Sequence, residues 1–169
     1  GSADANDGVE IEDSALVQST GTTVTVTSNS PILVDNATVS GAGNVTLTAN
    51  EDAGMVAGDN VTITNNATVT STGADVTVNA GDNIVLDTGS DITATAAGGD
   101  ITLNSGVGDN DDIGSQTLDA TISANTTNGI VTIDLGADTG TGAAADGTAG
   151  TITSFELLLL SMNNAAATF

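Results

Sequence analysis

The sequence DNVTITNNATVTSTGADVTVNAGDNIVLDTGSDITATAAGGDITLNS, residues 59–105, contains the most regular part of this chain. It repeats a short unit: Asp or Asn, a β-branched residue, in most units Thr, an apolar residue, then Thr, Asn or Asp. Apolar and polar positions alternate with a period of two, which is typical of a β-strand with one buried face. The units lie at Asn44–Thr48, Asn60–Thr64, Asp75–Asn79, Asn83–Asp87, Asp91–Thr95 and Asp100–Asn104.

Two interleaved series of apolar residues give the repeat a nearly constant period. One series opens units 16, 15 and 16 residues apart, at Val45, Val61, Val76 and Ile92. The other is spaced by 15 and 17 residues, at Val69, Ile84 and Ile101. Gly, Asn and Asp fill the joints, and these residues tolerate the positive φ of a sharp bend. Strands and bends in this alternation predict an all-β chain, a parallel β-helix (β-solenoid) whose turns stack about 4.8 Å apart.

Two features of this fold stay open at the level of the sequence. A coil of two strands per turn fits the period of 15–17 residues, whereas a coil of three strands, with roughly 20–25 residues per turn, fits the less regular flanks. The alternative fold is an antiparallel β-sandwich of short hairpins, because Gly-Asp and Asn-Gly joints also form hairpins.

We expect a single β-solenoid domain over residues 1–169. Within it, residues 1–8 are expected to be a tail or linker and residues 9–135 the repeat coils. A loop rich in Gly, Ala and Thr is expected at 136–150, followed by an apolar terminal strand and tail at 151–169.

The composition excludes several classes of function. The chain has no Lys, Arg or His and 22 acidic residues, so its formal net charge is −22. Nothing can pair with a phosphate, which excludes nucleic acid and anionic membranes as partners. Without Cys there is neither a disulfide framework nor a thiolate metal site. The longest apolar run, Leu157–Leu160, is too short for membrane insertion.

Enzymatic activity is not expected. General acid–base chemistry by His or Lys is impossible, as is a Ser-His-Asp or Cys-His nucleophile. A carboxylate pair for glycoside hydrolysis would need aromatic or basic neighbours that hold the sugar, and Phe155 and Phe169 are the only aromatic residues. No organic cofactor is expected either.

The segment ADVTVNAGDNIVLDTGSDITATAAGGDITLNSG, Ala74 to Gly106, resembles the repeats of large secreted adhesins of the filamentous haemagglutinin kind. The resemblance covers about Gly43 to Gly106 clearly and the flanks loosely. It implies a right-handed parallel β-helix and a location outside the cell or on the cell surface. It also implies a role as stalk, filament or adhesin, either as a segment or as a subunit, and it brings no catalytic residues.

Calcium is the one ion that the sequence predicts as a ligand. The loop Asp109, Asn110, Asp111 and Asp112 is rich in carboxylate and amide oxygens, which suit Ca²⁺ because this ion takes 6–8 hard oxygen ligands. Glu10, Glu12 and Asp13 form a weaker group of the same kind.

Ranks of outward Thr are the second candidate site. Alternate residues of a strand lie about 6.6–7 Å apart on one face. A flat array of paired Thr resembles the ice-binding face of β-solenoid antifreeze proteins, and it would also suit a surface glycan or receptor. The residues expected on this one outer face are Thr46, Thr48, Thr62, Thr64, Thr77, Asn79, Thr93 and Thr95.

The ends of the solenoid are the third candidate. A solenoid ends in strand edges that can pair with another chain, and natural solenoids cap such ends. We expect Phe155, Leu157, Leu159 and Phe169 to contact a neighbouring copy by strand addition, giving a head-to-tail homopolymer.

Overall fold

The computed structural model describes residues 8–51, 58–108, 114–135, 144–146, 150–160 and 166–168. These ranges contain 19 β-strands and no helix. The strands are β1 Val9–Ile11, β2 Leu16–Ser19, β3 Val24–Ser28, β4 Ile32–Asp35, β5 Thr38–Gly41, β6 Val45–Ala49, β7 Val61–Thr64, β8 Thr68–Ser71, β9 Val76–Ala80, β10 Ile84–Leu86, β11 Asp91–Ala94, β12 Ile101–Asn104, β13 Gln116–Leu118, β14 Thr121–Ser123, β15 Ile130–Asp134, β16 Ala144–Asp146, β17 Thr151–Thr153, β18 Glu156–Leu160 and β19 Ala166–Thr168.

The strands form three parallel sheets, each taking every third strand of the chain. Sheet A has the order β1-β4-β7-β10-β13-β16-β19, sheet B the order β2-β5-β8-β11-β14-β17, and sheet C the order β3-β6-β9-β12-β15-β18. Each turn of the chain therefore contributes one strand to each sheet. The fold is a parallel β-solenoid of about five turns, counted from the first to the last strand of a six-stranded sheet.

The parallel β-helix predicted from the repeat is confirmed, and two of the alternatives are wrong. Every strand pairing in the described ranges is parallel, which excludes the antiparallel sandwich. The two-strand coil fails because the four units spaced by 15 or 16 residues begin strands or lie within strands of sheets C, A, C and B in turn. Residues that stack on adjacent turns are instead 21 to 32 positions apart in the sequence.

The core is a set of apolar columns that run along the solenoid axis. In sheet C, Val45 pairs with Val76, Val76 with Ile101 and Ile101 with Val131, and all four side chains are fully buried. Each such side chain contributes about 1.5–3 kcal/mol through its removal from water. Branched aliphatic side chains alone thus fill the narrow interior, which explains how the chain folds with almost no aromatic residues.

Left-handed backbone at stacked positions forms the corner between sheets A and B. Positive φ occurs there at Asp13, Ser14, Asn36, Asn65, Asn66 and Gly89. Asn and Asp adopt this conformation more readily than other residues with side chains, and Gly does so without steric cost. On the inner side of the corner Ala37, Ala67 and Ala120 are buried, and their small side chains let the chain turn tightly.

The C-terminal part contains more strands than expected. Of the segment 136–150, expected to be a loop, Ala144–Asp146 forms β16 and pairs in parallel with β13, which continues sheet A. Residues 151–169, expected to hold one apolar strand, contain β17, β18 and β19. The period-two apolar pattern does not mark β16 or β19, because both are short and rich in Ala.

Candidate functional site

The eight residues expected on one Thr face are distributed over all three sides of the solenoid. Thr46, Thr48, Thr77 and Asn79 lie in β6 and β9 of sheet C, Thr62 and Thr64 in β7 of sheet A, and Thr93 in β11 of sheet B with Thr95 directly after it. The prediction of a single face is therefore wrong. It assumed that consecutive units stack on each other, whereas three strands separate one turn from the next.

Sheet C does carry a regular polar face, which we name the Thr/Asn face. Its first rank is formed by Thr25, Thr46, Thr77, Thr102 and Thr132, in register on five successive strands. Its second rank is formed by Thr27, Thr48, Asn79, Asn104 and Asp134. Every one of these residues alternates with inward-facing residues of the core, so both ranks point to solvent.

Hydrogen bonds run along the second rank from turn to turn. The Asn79 Nδ2 donates to Thr48 Oγ1 at 3.2 Å, and Asn104 Nδ2 donates to Asn79 Oδ1 at 2.8 Å. Because an amide side chain both donates and accepts, it can repeat this contact on each turn. The Thr/Asn face is thus a linked array and not a set of independent side chains.

A second ladder of side chains fixes the strand starts of sheet C. The N–H of Asp75 donates to Asn44 Oδ1 at 3.3 Å, that of Asp100 to Asp75 Oδ1 at 3.0 Å, and that of Ile130 to Asp100 Oδ1 at 2.8 Å. This explains the Asp or Asn that opens these repeat units: its side chain accepts a backbone hydrogen bond from the next turn.

Sheet B carries a similar array, which we name the hydroxyl face. One rank is Thr38, Thr68, Asp91, Thr121 and Thr151, and the other is Ser40, Thr70, Thr93, Ser123 and Thr153. Thr68 Oγ1 donates to Thr38 Oγ1 at 3.2 Å. Most of these residues were not singled out from the sequence. The usable signal is the Thr-X-Thr or Thr-X-Ser triplet, which recurs once per turn only when the turn is taken as three strands.

Sheet A differs from the other two on its outer side. Here Leu33, Thr62 and Val85 lie in register and are all half-buried, with Glu10 before them and Thr117 after them. Apolar side chains interrupt any polar array on this sheet. The two regular polar surfaces of the described chain are therefore those of sheets B and C.

The last strand of sheet C presents an apolar surface at one end of the solenoid. Leu157 and Leu159 lie in register with the buried Val131 and Ile133, yet they are 41% and 38% exposed because no described turn covers them. Phe155, just before β18, is 65% exposed. Phe169, expected at the same surface, lies outside the described residues.

Leu158 and Leu160 were not expected to belong to this surface. They lie over Thr132 and Asp134, and thus over the two ranks of the Thr/Asn face, and are 40% and 38% exposed. The run Leu157–Leu160 breaks the period-two alternation, so both sides of β18 are apolar. The polar array of sheet C ends at this strand.

The acidic loop predicted to bind calcium, Asp109, Asn110, Asp111 and Asp112, lies outside the described residues, between Gly108 and Gly114 of the corner that joins sheets C and A. Within the ranges that the structure does describe, no three Asp, Glu, His or Cys side chains converge as a metal-binding cluster. These ranges also lack any helix of the length and apolarity that a membrane crossing requires.

The weaker acidic group lines an open pocket of about 370 Å³ at the corner between sheets A and B. Glu12, Asp13, Asp35, Asn36, Asn65 and Asn66 form its walls. Asn65 Nδ2 donates to Asp35 Oδ1 at 2.7 Å, which links adjacent turns. The pocket is therefore made of stacked turn residues, and an apolar wall that would hold an organic ligand is lacking among its lining residues.

Comparison with known proteins adds no family to this description. No family model matches the chain, and no match was found among curated proteins or among solved structures. The parallel β-solenoid itself is consistent with the fold of β-helix adhesins. What the structure shows is thus an acidic, three-sheet β-solenoid with two polar side faces and one apolar end.

Proposed function

We propose that the chain is a non-enzymatic structural protein, a segment or subunit of an extracellular filament or cell-surface adhesin that associates through its ends. The observation that carries this proposal is the apolar terminal strand β18. Its inward residues Leu157 and Leu159 continue the core columns of sheet C but are about 40% exposed.

The shape of the ends supports a second copy as the occupant. In the described part of the chain, β18 and β3 each have one neighbour in sheet C, and β17 and β2 each have one in sheet B. A second copy placed head-to-tail would add its β3 beside β18 and its β2 beside β17, in the parallel direction used throughout the fold. Strand edges recruit a further chain through main-chain hydrogen bonds, and side-chain contacts then set the specificity.

The energetics of this joint depend on apolar contact and charge. Burying Phe155, Leu157 and Leu159 would contribute about 1.5–3 kcal/mol for each side chain, against an association cost of about 4–15 kcal/mol. Backbone pairing of the added strands must supply the rest. Because each copy carries a formal charge of −22, repulsion opposes stacking, and we expect salt to strengthen it.

The extracellular location is part of the same proposal. A chain without Lys or Arg offers trypsin-like proteases no cleavage site, and a chain without Cys does not depend on the redox state of its surroundings. Both properties suit a material that must persist outside the cell.

Electron microscopy and sedimentation of the purified chain, at low and high NaCl and with millimolar calcium, test the proposal. Filaments or oligomers of uniform width are expected, and the double variant L157D/L159D should abolish them. The matched control is V107D, because Val107 is also 41% exposed but lies at a corner along the side of the solenoid. A chain that stays monomeric at high concentration under all these conditions, or an L157D/L159D variant that still assembles, would contradict the proposal.

The second candidate function is binding of an ordered surface, ice or a repetitive glycan, by a polar side face. The observation that favours it is the pair of regular ranks on sheet C, with neighbouring strands about 4.8 Å apart and alternate residues about 7 Å apart. Such a lattice matches repeating hydroxyl or water positions better than it matches an irregular protein surface.

An assay of ice recrystallisation, together with a glycan array, tests this second function. T77Y places a bulky side chain at the centre of the Thr/Asn face and should abolish binding, whereas T62Y makes the same change on sheet A and should leave binding intact. If the unmodified chain binds neither ice nor glycans, or if both variants bind alike, the Thr/Asn face has no such role.

A further inference from the structure

Asp82 is a fully buried carboxyl group at the corner that joins sheet C to sheet A. It lies between β9 and β10 and has 0% of its surface exposed. Its Oδ2 accepts hydrogen bonds from the N–H of Gly58 and from the N–H of Asp59, the latter at 2.9 Å. Its Oδ1 is buried and has no hydrogen-bond partner. Half of this carboxyl group is thus unsatisfied.

A second acidic residue reaches the same corner from the preceding turn. Glu51 follows β6, and the N–H of Gly81, next to Asp82, donates to Ala49 O at 2.8 Å. A Cβ added to Gly81 would lie 2.8 Å from Glu51 Oε2, so the carboxylate of Glu51 packs directly on this glycine. Both carboxylate oxygens of Glu51 are themselves buried. Two acidic side chains from adjacent turns therefore meet at this corner.

The chain cannot neutralise this corner with its own side chains. A buried carboxylate costs several kcal/mol unless it is paired, hydrogen-bonded or bound to a metal. With no Lys, Arg or His in the sequence, an internal ion pair is impossible. The two backbone N–H groups satisfy only Oδ2, and the counter-charge for the rest must come from outside the chain.

We propose that Asp82, with Glu51 beside it, binds a hard divalent cation of the Ca²⁺ class. Oxygen-only donors exclude the softer metals that prefer His or Cys. Ca²⁺ takes 6–8 oxygen ligands from carboxylates, backbone carbonyls and water. Two carboxylates are fewer than the three that define a dense acidic cluster, so water and carbonyl oxygens complete the shell. The site is distinct from the acidic loop at 109–112 and does not depend on end-to-end assembly.

Equilibrium dialysis against radioactive calcium in about 0.15 M NaCl tests the site, because salt at this level screens diffuse attraction to an acidic surface. D82N keeps the size of the side chain and removes its charge. We expect it to weaken calcium binding by about tenfold or more. The matched control is D91N, which removes the same charge from the outer side of sheet B, and its affinity should stay within about twofold of the unmodified chain.

E51Q provides a second variant should D82N fail to fold, and it should also weaken calcium binding. Thermal unfolding followed by circular dichroism gives an independent measurement on the unmodified chain. Calcium should raise Tm more than NaCl of equal ionic strength. The inference is overturned if the unmodified chain binds no calcium at about 10 mM, well above the range of weak extracellular sites. It is also overturned if D82N or E51Q binds as D91N does, which would place the ion elsewhere.

Discussion

The central turns and the last turn of sheet C share one backbone geometry but differ in how well their side chains are covered. Leu103 in β12 has 0% of its side chain exposed, whereas Leu159, two strands further along the same inward column, is 38% exposed. Strand pairing is parallel and in register in both places. The difference teaches that each turn obtains its burial from the next turn, so a solenoid is stable in its middle and adhesive at its ends.

The largest expected effect compares the same substitution in these two regions. L103A should lower the free energy of unfolding by about 2–5 kcal/mol, because a cavity opens in a column that cannot collapse. L159A removes a side chain that is already in contact with water and should cost about 1 kcal/mol or less. Urea unfolding of both variants, followed by circular dichroism, measures the two values. Equal losses would contradict the picture of a well-covered middle and an open end.

A smaller effect is expected at the corners, where close approach of the backbone requires glycine. A Cβ on Gly73 would overlap the carbonyl oxygen of Ala42 on the preceding turn, so G73A should destabilise the chain by about 1–3 kcal/mol. Gly21, between β2 and β3, has nothing within 4 Å of such a Cβ, and G21A should be neutral or stabilising by up to about 1 kcal/mol. Thermal melts of the two variants decide the matter, and an intact Tm in G73A would show that adjacent turns can separate at this corner.

The smallest expected effect concerns the hydrogen bonds of the Thr/Asn face. N79A removes the link between Thr48 and Asn104 and should cost about 0.5–1.5 kcal/mol. T25A, on the exposed first strand of the same face, should change stability by less than about 0.5 kcal/mol. Chemical unfolding of both variants measures this pair. If N79A proves as neutral as T25A, the side-chain ladder does not contribute to stability and only orders the surface.

The strands of the regular stretch were predictable because their signal is local. In units such as Asp100–Asn104, β-branched and apolar residues alternate with polar ones, and this pattern depends on the residues of one strand alone. The parallel arrangement followed from the regular spacing of the units and their Gly-rich joints. The weakest strands, β16 and β19, escaped notice because Ala-rich triplets carry no alternation.

The composition of the faces was not predictable in the same way. Thr46 and Thr62 have the same local context, yet one lies on sheet C and the other on sheet A. Their placement depends on how many strands complete a turn, and insertions at the corners change the length of a turn from 21 to 32 residues. For the same reason the proposed cation site was missed, since Glu51 and Asp82 become neighbours only through stacking.

The amino-acid sequence is enough to establish an all-β repeat, a strongly acidic surface and the absence of any His-, Lys- or Cys-dependent chemistry, because these follow from residue types and local alternation. The number of strands per turn, the polar ranks that share a face and the burial of Asp82 are set by the folded structure. Each of them depends on contacts between residues more than 20 positions apart, and such contacts form only when successive turns lie on top of one another.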